Sequence, residues 1–179
     1  MSAPRASRPP RRSPRSRRWK SSARSDRVGM ILSPSGPRTE GPDEDGFYTT
    51  YFEGPSFNGT FGEIRSRVEG SVARVRIATG PGRANPLGAL HGGFLLGFLD
   101  QAVFVGPATL GRLVMPNWAV TLNFATQFMA PGRADLPLDC VIEVVSETGK
   151  LLFLRGQMEQ ERQALLTFQA TLRKIRLGG

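Results

Sequence analysis

Cysteine and histidine are almost absent from this chain of 179 residues, which contains one of each, Cys140 and His91. A single cysteine excludes an internal disulfide framework, and a structural zinc site lacks the paired ligands it needs. The single histidine excludes a histidine-rich metal site within one chain, and a Ser-His-Asp triad would have to use His91. No apolar run is long enough for a membrane-spanning helix. We therefore expect a cytoplasmic protein with no metal and no membrane partner.

Excess positive charge is confined to the N-terminal end of the chain. Residues 1–29 contain ten basic residues against one acid, Asp26, whereas residues 30–179 contain fourteen residues of each sign. A nucleic-acid-binding domain would carry its positive charge on folded elements. We therefore expect no nucleic-acid partner for the folded part of the chain.

The first 46 residues contain little that could build a core. Residues 1–29 are mainly Arg, Ser and Pro, a composition that favours disorder. Three interpretations are open: a translation start placed too far upstream, with Met30 as the true first residue; a disordered basic arm that contacts RNA or an acidic membrane surface; and an organelle-targeting peptide. Residues 31–46 are still polar and turn-rich, so we predict a tail and linker over 1–46 and one domain over 47–179.

The apolar pattern of the domain predicts one buried helix. Residues 92–105 are apolar around the whole circumference of a helix, and Gly106-Pro107 should end it. Residues 56–67 predict a short helix that lies over the core. Residues 80–91 predict a loop rich in glycine and proline.

Five segments predict β-strands. In residues 71–79, Ala73, Val75 and Ile77 alternate with polar residues, as in a half-buried strand. Residues 118–129 should bury one face that carries Val120, Leu122, Phe124 and Phe128. The remaining strands are predicted over residues 138–147, 151–160 and 164–175. The order of strand, buried helix and antiparallel meander predicts an α+β fold in which a sheet wraps one helix.

Asp100 lies in the middle of the apolar helix, with Leu99 and Ala102 among its neighbours. An unpaired carboxylate would be costly there, so it must be paired, hydrated in a cavity or protonated. A carboxylate in such surroundings is a candidate general base or nucleophile. The alternative is a structural aspartate that reaches water or caps a backbone amide.

The start of this helix is the second candidate site. His91, Gly92 and Gly93 open the helix, where free backbone N–H groups can polarise a carbonyl or stabilise an oxyanion. The alternatives are a capping role for the histidine and close helix–sheet packing for the glycines. Asp100 lies nine positions after His91, which places them on opposite faces and about 13 Å apart along the helix. If both act on one substrate, two chains must share the site, which predicts a dimer.

Two motifs together resemble those of a known family. The string Asn85-x5-His91-Gly92-Gly93-x6-Asp100 resembles the signature of hotdog-fold acyl-CoA thioesterases of the phenylacetate-pathway (PaaI-like) type. A later stretch is similar to the family's next strand and the basic turn after it, through Thr121-x-Asn123-x4-Phe128-x2-Pro131-Gly132-Arg133. The resemblance covers residues 47–176 and none of the tail.

The resemblance implies a hotdog fold, in which an antiparallel sheet wraps one long central helix. It also implies hydrolysis of an acyl- or aryl-acyl-CoA thioester without a cofactor, since coenzyme A is part of the substrate. Asp100 would be the general base or nucleophile, and the Gly92 amide would hold the carbonyl oxygen. His91 and Asn85 would shape the thioester end of the site, and Thr121 would orient the water.

The same resemblance implies a substrate-binding set and a partner. Gly93 belongs to the helix start, and Arg133 could meet a phosphate of coenzyme A. An apolar acyl pocket would be lined by helix residues such as Phe94, Leu95, Phe98 and Phe104. Hotdog subunits pair with composite sites, which implies a homodimer that can assemble further into a tetramer.

Three other functions stay open at this stage. The first is a non-catalytic acyl-CoA sensor, which the retained Asp100 and the lack of a recognisable helix-turn-helix segment disfavour. The second is a hydratase or dehydratase on the same fold, which the Gly-Gly after His91 disfavours. The third is RNA binding through the arm over residues 1–29.

Overall fold

The computed structural model describes residues 38–52, 55–114 and 117–176. In this part of the chain one long helix, α1 (Gly92–Thr109), interrupts a series of eight strands. The strands are β1 (Arg38–Glu40), β2 (Tyr48–Tyr51), β3 (Ile64–Glu69), β4 (Val72–Ile77), β5 (Asn117–Phe128), β6 (Leu138–Glu147), β7 (Leu151–Gln160) and β8 (Gln163–Arg176). Short 3-10 turns occupy Asn58–Phe61 and Pro81–Arg83.

The eight strands form one antiparallel sheet in the order β1-β2-β3-β4-β6-β7-β8-β5. Strand β5 follows the helix in sequence but pairs with β8, on the far side of the sheet from β1. Its other edge has no strand beside it among the described residues. The twelve-residue strand β5 is therefore an edge strand of the sheet, and its outer edge is unpaired among the described residues.

Helix α1 lies against β3, β4 and β6 and fills the core. Its buried residues include Phe98, Leu99, Ala102 and Val103, which have almost no exposed surface. This arrangement satisfies the all-round apolar character of the helix, because the sheet covers the faces that water would otherwise reach. The predicted α+β class, with an antiparallel sheet around one buried helix, is confirmed as a hotdog fold.

Most strand predictions are also confirmed. Ala73, Val75 and Ile77 share the buried face of β4. Strands β6 and β7 begin and end at the predicted residues, and β8 extends one residue further at each end. The polar turn before β8 holds Glu161 and Arg162 at φ of 48° and 69°, which is typical of a two-residue hairpin of type I′.

The predicted helix over residues 56–67 is wrong. The chain forms only a 3-10 turn at Asn58–Phe61 and then enters strand β3. Ile64 and Ser66 are both buried on one face of β3, so the true period is two. A polar serine at a buried position concealed that period in the sequence.

The prediction that Gly106-Pro107 ends the helix is also wrong, because α1 continues to Thr109 with Pro107 inside it. Pro107 has no N–H to donate to the Val103 carbonyl oxygen, yet the helix continues for two residues beyond it. Gly106 has a packing role instead of a helix-ending one. A Cβ at this position would lie 2.7 Å from Cδ1 of Ile142, so only glycine leaves room for that side chain.

The predicted faces of β5 are wrong in part. Val120, Leu122 and Phe128, which the alternation placed in the core, are exposed. An irregularity in the pairing with β8 lies between Thr121 and Asn123 and shifts the alternation. The strand also lies at the margin of the sheet, so these three side chains are not fully covered within one chain.

The sheet includes residues from before Phe47, where the sequence analysis begins the domain. Strand β1 (Arg38–Glu40) pairs with β2, and the Phe47 side chain is buried beneath the guanidinium groups of Arg65 and Arg67. Residues 1–37 of the predicted tail lie outside the described residues. Within the described part, no helix is long and apolar enough to span a membrane.

We predict that Gly156→Ala destabilises the fold by about 3 kcal/mol, because the new methyl group overpacks the core. A Cβ at this position would lie 2.0 Å from the Val141 carbonyl oxygen and 2.9 Å from the Phe168 ring. Gly149→Ala is the matched control, since a Cβ there meets nothing within 4 Å. Urea unfolding measures both variants, and equal stabilities would contradict the prediction.

Candidate active site

His91 caps the N-terminus of α1. Its Nδ1 accepts a hydrogen bond from the Gly93 amide at 2.9 Å, and its own backbone amide donates to the Arg83 carbonyl oxygen. With Nδ1 as acceptor, the neutral imidazole carries its proton on Nε2. The exposed ring therefore turns its donor atom away from the cap.

The Gly92 amide is free at the same helix end. Gly92 is the first residue of α1, and no acceptor in the described residues takes its N–H. The positive end of the helix dipole adds to the attraction for an oxygen atom placed there. The Phe128 ring lies against this glycine, 3.6 Å from where a Cβ would be.

Asn85 and Arg133 lie beside this helix start. The Asn85 Oδ1 accepts hydrogen bonds from the backbone amides of Leu87 and Ala89, at 2.9 and 3.2 Å, and so orders the loop before the helix. The backbone of Ala89 in turn pairs with that of Arg133 in an isolated antiparallel β-bridge. The Arg133 guanidinium is exposed and pairs with Asp135 at 2.6 Å, a contact that lowers the pKa of the Asp135 carboxyl.

Asp100 lies further along the helix and is held by Thr121. The Thr121 hydroxyl of β5 donates a hydrogen bond to the Asp100 Oδ1 at 3.0 Å. Asp100 is partly exposed, although Leu99 and Gln101 on either side of it are buried. A carboxylate with one oxygen fixed and the other free can accept a proton from a bound water.

Asp100 opens into a cleft of about 440 Å³. One wall is a stripe of α1, and the opposite wall comes from the N-terminal strands. Phe104 stacks on Trp118 with ring centroids 6.0 Å apart. The cleft is lined by Thr39, Tyr48, Thr50, Phe52, Asn58, Ser66, Val68, Asp100, Gln101, Phe104, Val105, Ala108, Thr109 and Trp118.

Of the four apolar residues proposed for an acyl pocket, only Phe104 lines this cleft. Phe98 is 0% exposed and Leu95 is buried, so both belong to the core. Phe94 stacks on Phe98 and lies beneath the Arg83 guanidinium. Helix periodicity does not distinguish these positions, because an all-round apolar helix shows no face that marks a cleft.

Several cleft residues have no counterpart in the sequence analysis. Gln101 had a signal, since it is a second polar residue in an apolar helix and lies next to Asp100. Tyr48, Thr50 and Phe52 had none, because strand β2 and the residue after it contain no motif.

The predicted site residues thus form two groups. Asn85, His91, Gly92, Gly93 and Arg133 lie at the start of α1, and Asp100 and Thr121 lie together beside its middle. Gly92 and Asp100 are eight residues apart, which is about 12 Å along a helix. One chain therefore brings together the members of each group and does not bring the groups together.

Comparison with known proteins identifies the fold and the superfamily. Residues 87–167, which contain both the helix start and Asp100, match the thioesterase superfamily. This match relates the segment to that superfamily. No curated protein matches the chain as a relative.

Solved structures share the fold of this superfamily. The Escherichia coli PaaI protein of the phenylacetic acid degradation operon is 20% identical, with a TM-score of 0.51 over 61% of this chain and 75% of that one. A putative thioesterase from Ralstonia eutropha, described as phenylacetic acid degradation-related, is 22% identical, with a TM-score of 0.57 over 68% and 91%. A Haemophilus influenzae thioesterase is 15% identical, with a TM-score of 0.57 over 65% and 80%. The resemblance to PaaI-like hotdog thioesterases is thereby confirmed.

We predict that Asn85→Ala lowers stability by about 1 kcal/mol, because the backbone amides of Leu87 and Ala89 lose their acceptor. Asn85→Asp keeps that acceptor and should unfold at nearly the wild-type urea concentration. Urea unfolding of the three proteins tests this. If Asn85→Ala were as stable as the wild type, Asn85 would not order the loop.

Proposed function

We propose that this chain hydrolyses acyl-CoA thioesters to the free acid and coenzyme A. The observation that carries the proposal is the Asp100 carboxylate, held by Thr121 at 3.0 Å and open to a largely apolar cleft. Such a cleft suits the acyl part of a substrate, and the carboxylate can act at its thioester carbon. The match of residues 87–167 to the thioesterase superfamily supports the same reaction.

In the proposed reaction, Asp100 takes a proton from a water molecule that attacks the thioester carbon. The electron pair of the carbonyl bond moves to the oxygen, which accepts a hydrogen bond from the Gly92 amide. Collapse of this intermediate breaks the C–S bond, and the proton on Asp100 passes to the leaving thiolate. In a second route, Asp100 itself attacks the carbon, and the C–S bond breaks to release the coenzyme A thiolate. Water then hydrolyses the anhydride, which gives the free acid, restores the Asp100 carboxylate and supplies the proton for the thiolate. Neither route uses a metal or a cofactor.

Thr121 has a positioning role in either route. Its hydroxyl donates a hydrogen bond to the Asp100 Oδ1, which leaves Oδ2 to face the water or the thioester carbon. His91 and Asn85 are proposed to shape the other side of the thioester. Gly93 acts through His91, because its amide holds the ring in place.

We further propose that two copies of the chain complete the site. The Gly92 amide lies about 12 Å along the helix from Asp100 of the same chain, too far to hold the oxygen of a carbonyl that Asp100 attacks. A second copy can supply the amide instead. Arg133 belongs to the same end of the helix, where it could exchange Asp135 for a phosphate of coenzyme A.

Strand β5 offers the surface for this pairing. Its open edge carries exposed Val120, Leu122 and Phe128, and an uncovered strand edge tends to pair with another. Phe128 lies against Gly92, and Thr121 lies against Asp100. If two β5 strands pair antiparallel about a point between Phe124 and Ala125, Phe128 of each copy comes opposite Thr121 of the other. Such pairing brings the two halves of the site together in a homodimer, and two dimers can form a tetramer.

We predict that the wild type releases thiol from acyl-CoA substrates and that Asp100→Asn lowers turnover by about a hundredfold or more. Gly92→Pro should also lower turnover about a hundredfold, because it removes the amide hydrogen. Proline is compatible with the first position of a helix, and Gly92→Ala, which keeps the amide, is the matched control. A thiol-release assay on short, medium, long and aromatic acyl-CoA measures all four proteins.

Two results would contradict this prediction. Near wild-type turnover of Asp100→Asn would remove Asp100 from the mechanism. If no thioester is hydrolysed and acyl-CoA binds tightly in calorimetry, the protein is a sensor and not an enzyme.

We predict that Leu122→Lys shifts the protein to monomers and lowers turnover in parallel, because a charge on the open edge of β5 opposes pairing. Val145→Lys is the matched control: Val145 is 51% exposed and Leu122 is 55% exposed, but Val145 lies on β6. Sedimentation velocity and thiol release test both variants. A monomeric Leu122→Lys protein with full turnover would contradict the shared site.

A further inference from the structure

Gln101 is a buried polar residue that the proposed mechanism does not use. It is 4% exposed, and its side-chain amide has no hydrogen-bond partner among the described residues, although it lines the cleft beside Asp100. Every fully buried side-chain nitrogen or oxygen in the described chain is paired. The Gln101 amide therefore reaches the open space of the cleft, where a ligand atom can pair with it.

The position of Gln101 in the cleft sets which part of a ligand it meets. The lining stripe of α1 runs from Asp100 to Thr109, which is about 13 Å along the helix. Gln101 follows Asp100 with a rise of about 1.5 Å, so it lies at the end where the thioester would be. Beyond it the stripe is apolar, with Phe104, Val105 and Ala108.

Four hydroxyl groups that line the cleft are already paired. The Thr109 hydroxyl lies 2.8 Å from both the Ser66 Oγ and the Val105 carbonyl oxygen. Thr39 and Thr50 lie within hydrogen-bond distance of each other, at 3.3 Å. These hydroxyls satisfy one another, whereas the Gln101 amide offers both a donor and an acceptor to a ligand.

We propose that Gln101 selects acyl groups that carry a hydroxyl close to the thioester carbon and are apolar beyond it. A hydroxyl both donates and accepts, so it can pair with the Oε1 and the Nε2 of one amide. A site built to pair with a hydroxyl disfavours the analogue that lacks it, because its own buried polar group is then left unpaired. This inference rests on the proposed function, since it places the thioester at Asp100.

The test uses thioether analogues of acyl-CoA, which bind but are not hydrolysed. Three medium-chain analogues are compared: one unsubstituted, one with a hydroxyl on the third acyl carbon and one with a hydroxyl on the last carbon. Calorimetry should show that the wild type binds the second analogue about tenfold more tightly than the first, as expected for one hydrogen bond in a buried site. The terminal hydroxyl should bring no such gain.

The Gln101→Met variant keeps the size of the side chain and removes the amide. It should bind the unsubstituted analogue at least as tightly as the wild type does, because no amide is left unpaired there, and it should lose the tenfold preference. Gln169→Met, at an exposed position on β8, is the matched control and should keep it. Thermal unfolding verifies that both variants are folded.

Two outcomes overturn the inference: equal affinities of the wild type for the first two analogues, or a preference that survives Gln101→Met. The wild-type comparison stands even if that variant fails to fold. Thiol release from the corresponding thioesters separates this inference from the proposed function. If the thioesters are hydrolysed but the analogue with a hydroxyl on the third acyl carbon binds no more tightly, the role of Gln101 is overturned and hydrolysis stands. If that analogue binds more tightly but no thioester is hydrolysed, the proposed hydrolysis is overturned and the role of Gln101 stands.

Discussion

The burial of one apolar helix against an antiparallel sheet is the constraint on which the rest of this structure depends. Helix α1 is apolar on all faces, so it is stable only where β3, β4 and β6 cover it. Close contact requires small residues at the points of nearest approach. Gly106 allows Ile142 of β6 to pack directly on the helix, and Gly156 allows Phe168 to enter the space inside the sheet.

The same burial decides where polar chemistry can occur. A helix enclosed in this way has few places where a charged group can meet a ligand: its free N-terminus and any carboxylate that opens into a cleft. The Gly92 amide occupies the first place and Asp100 the second. Because a helix is rigid, the distance between them is fixed within one chain at about 12 Å. That distance, together with the open edge of β5, is the physical reason to propose a site shared by two copies.

The parts of the fold that sequence could predict are those with a strong local pattern. Alternation in β4 and the strands on either side of the Glu161-Arg162 turn depend on neighbouring residues alone, and these strands were predicted. The exposed face of β5 could not be predicted, because it depends on the shifted pairing with β8 and on the place of the strand in the sheet. Strand β3 was missed because Ser66 is buried against the Thr109 hydroxyl, a contact that forms only in the folded chain.

The candidate site divides in the same way. The residues of the helix start and Asp100 were found from a motif whose spacing is local. Thr121 was placed by resemblance, and the structure shows its hydrogen bond to Asp100. The cleft walls from β1 and β2 and the packing of Phe98 in the core could not be found, because the sequence of an all-round apolar helix does not show which face borders an open space.

The most direct test of the shared site is a mixture of two inactive variants, Asp100→Asn and Gly92→Pro, unfolded together and refolded at equal amounts. Each mixed dimer has one site with both an intact Asp100 and an intact Gly92 amide. Thiol release should therefore return to about one quarter of the wild-type turnover, as random pairing in a symmetric dimer requires. No recovery in a sample whose mixed dimers are verified by mass spectrometry would contradict the account.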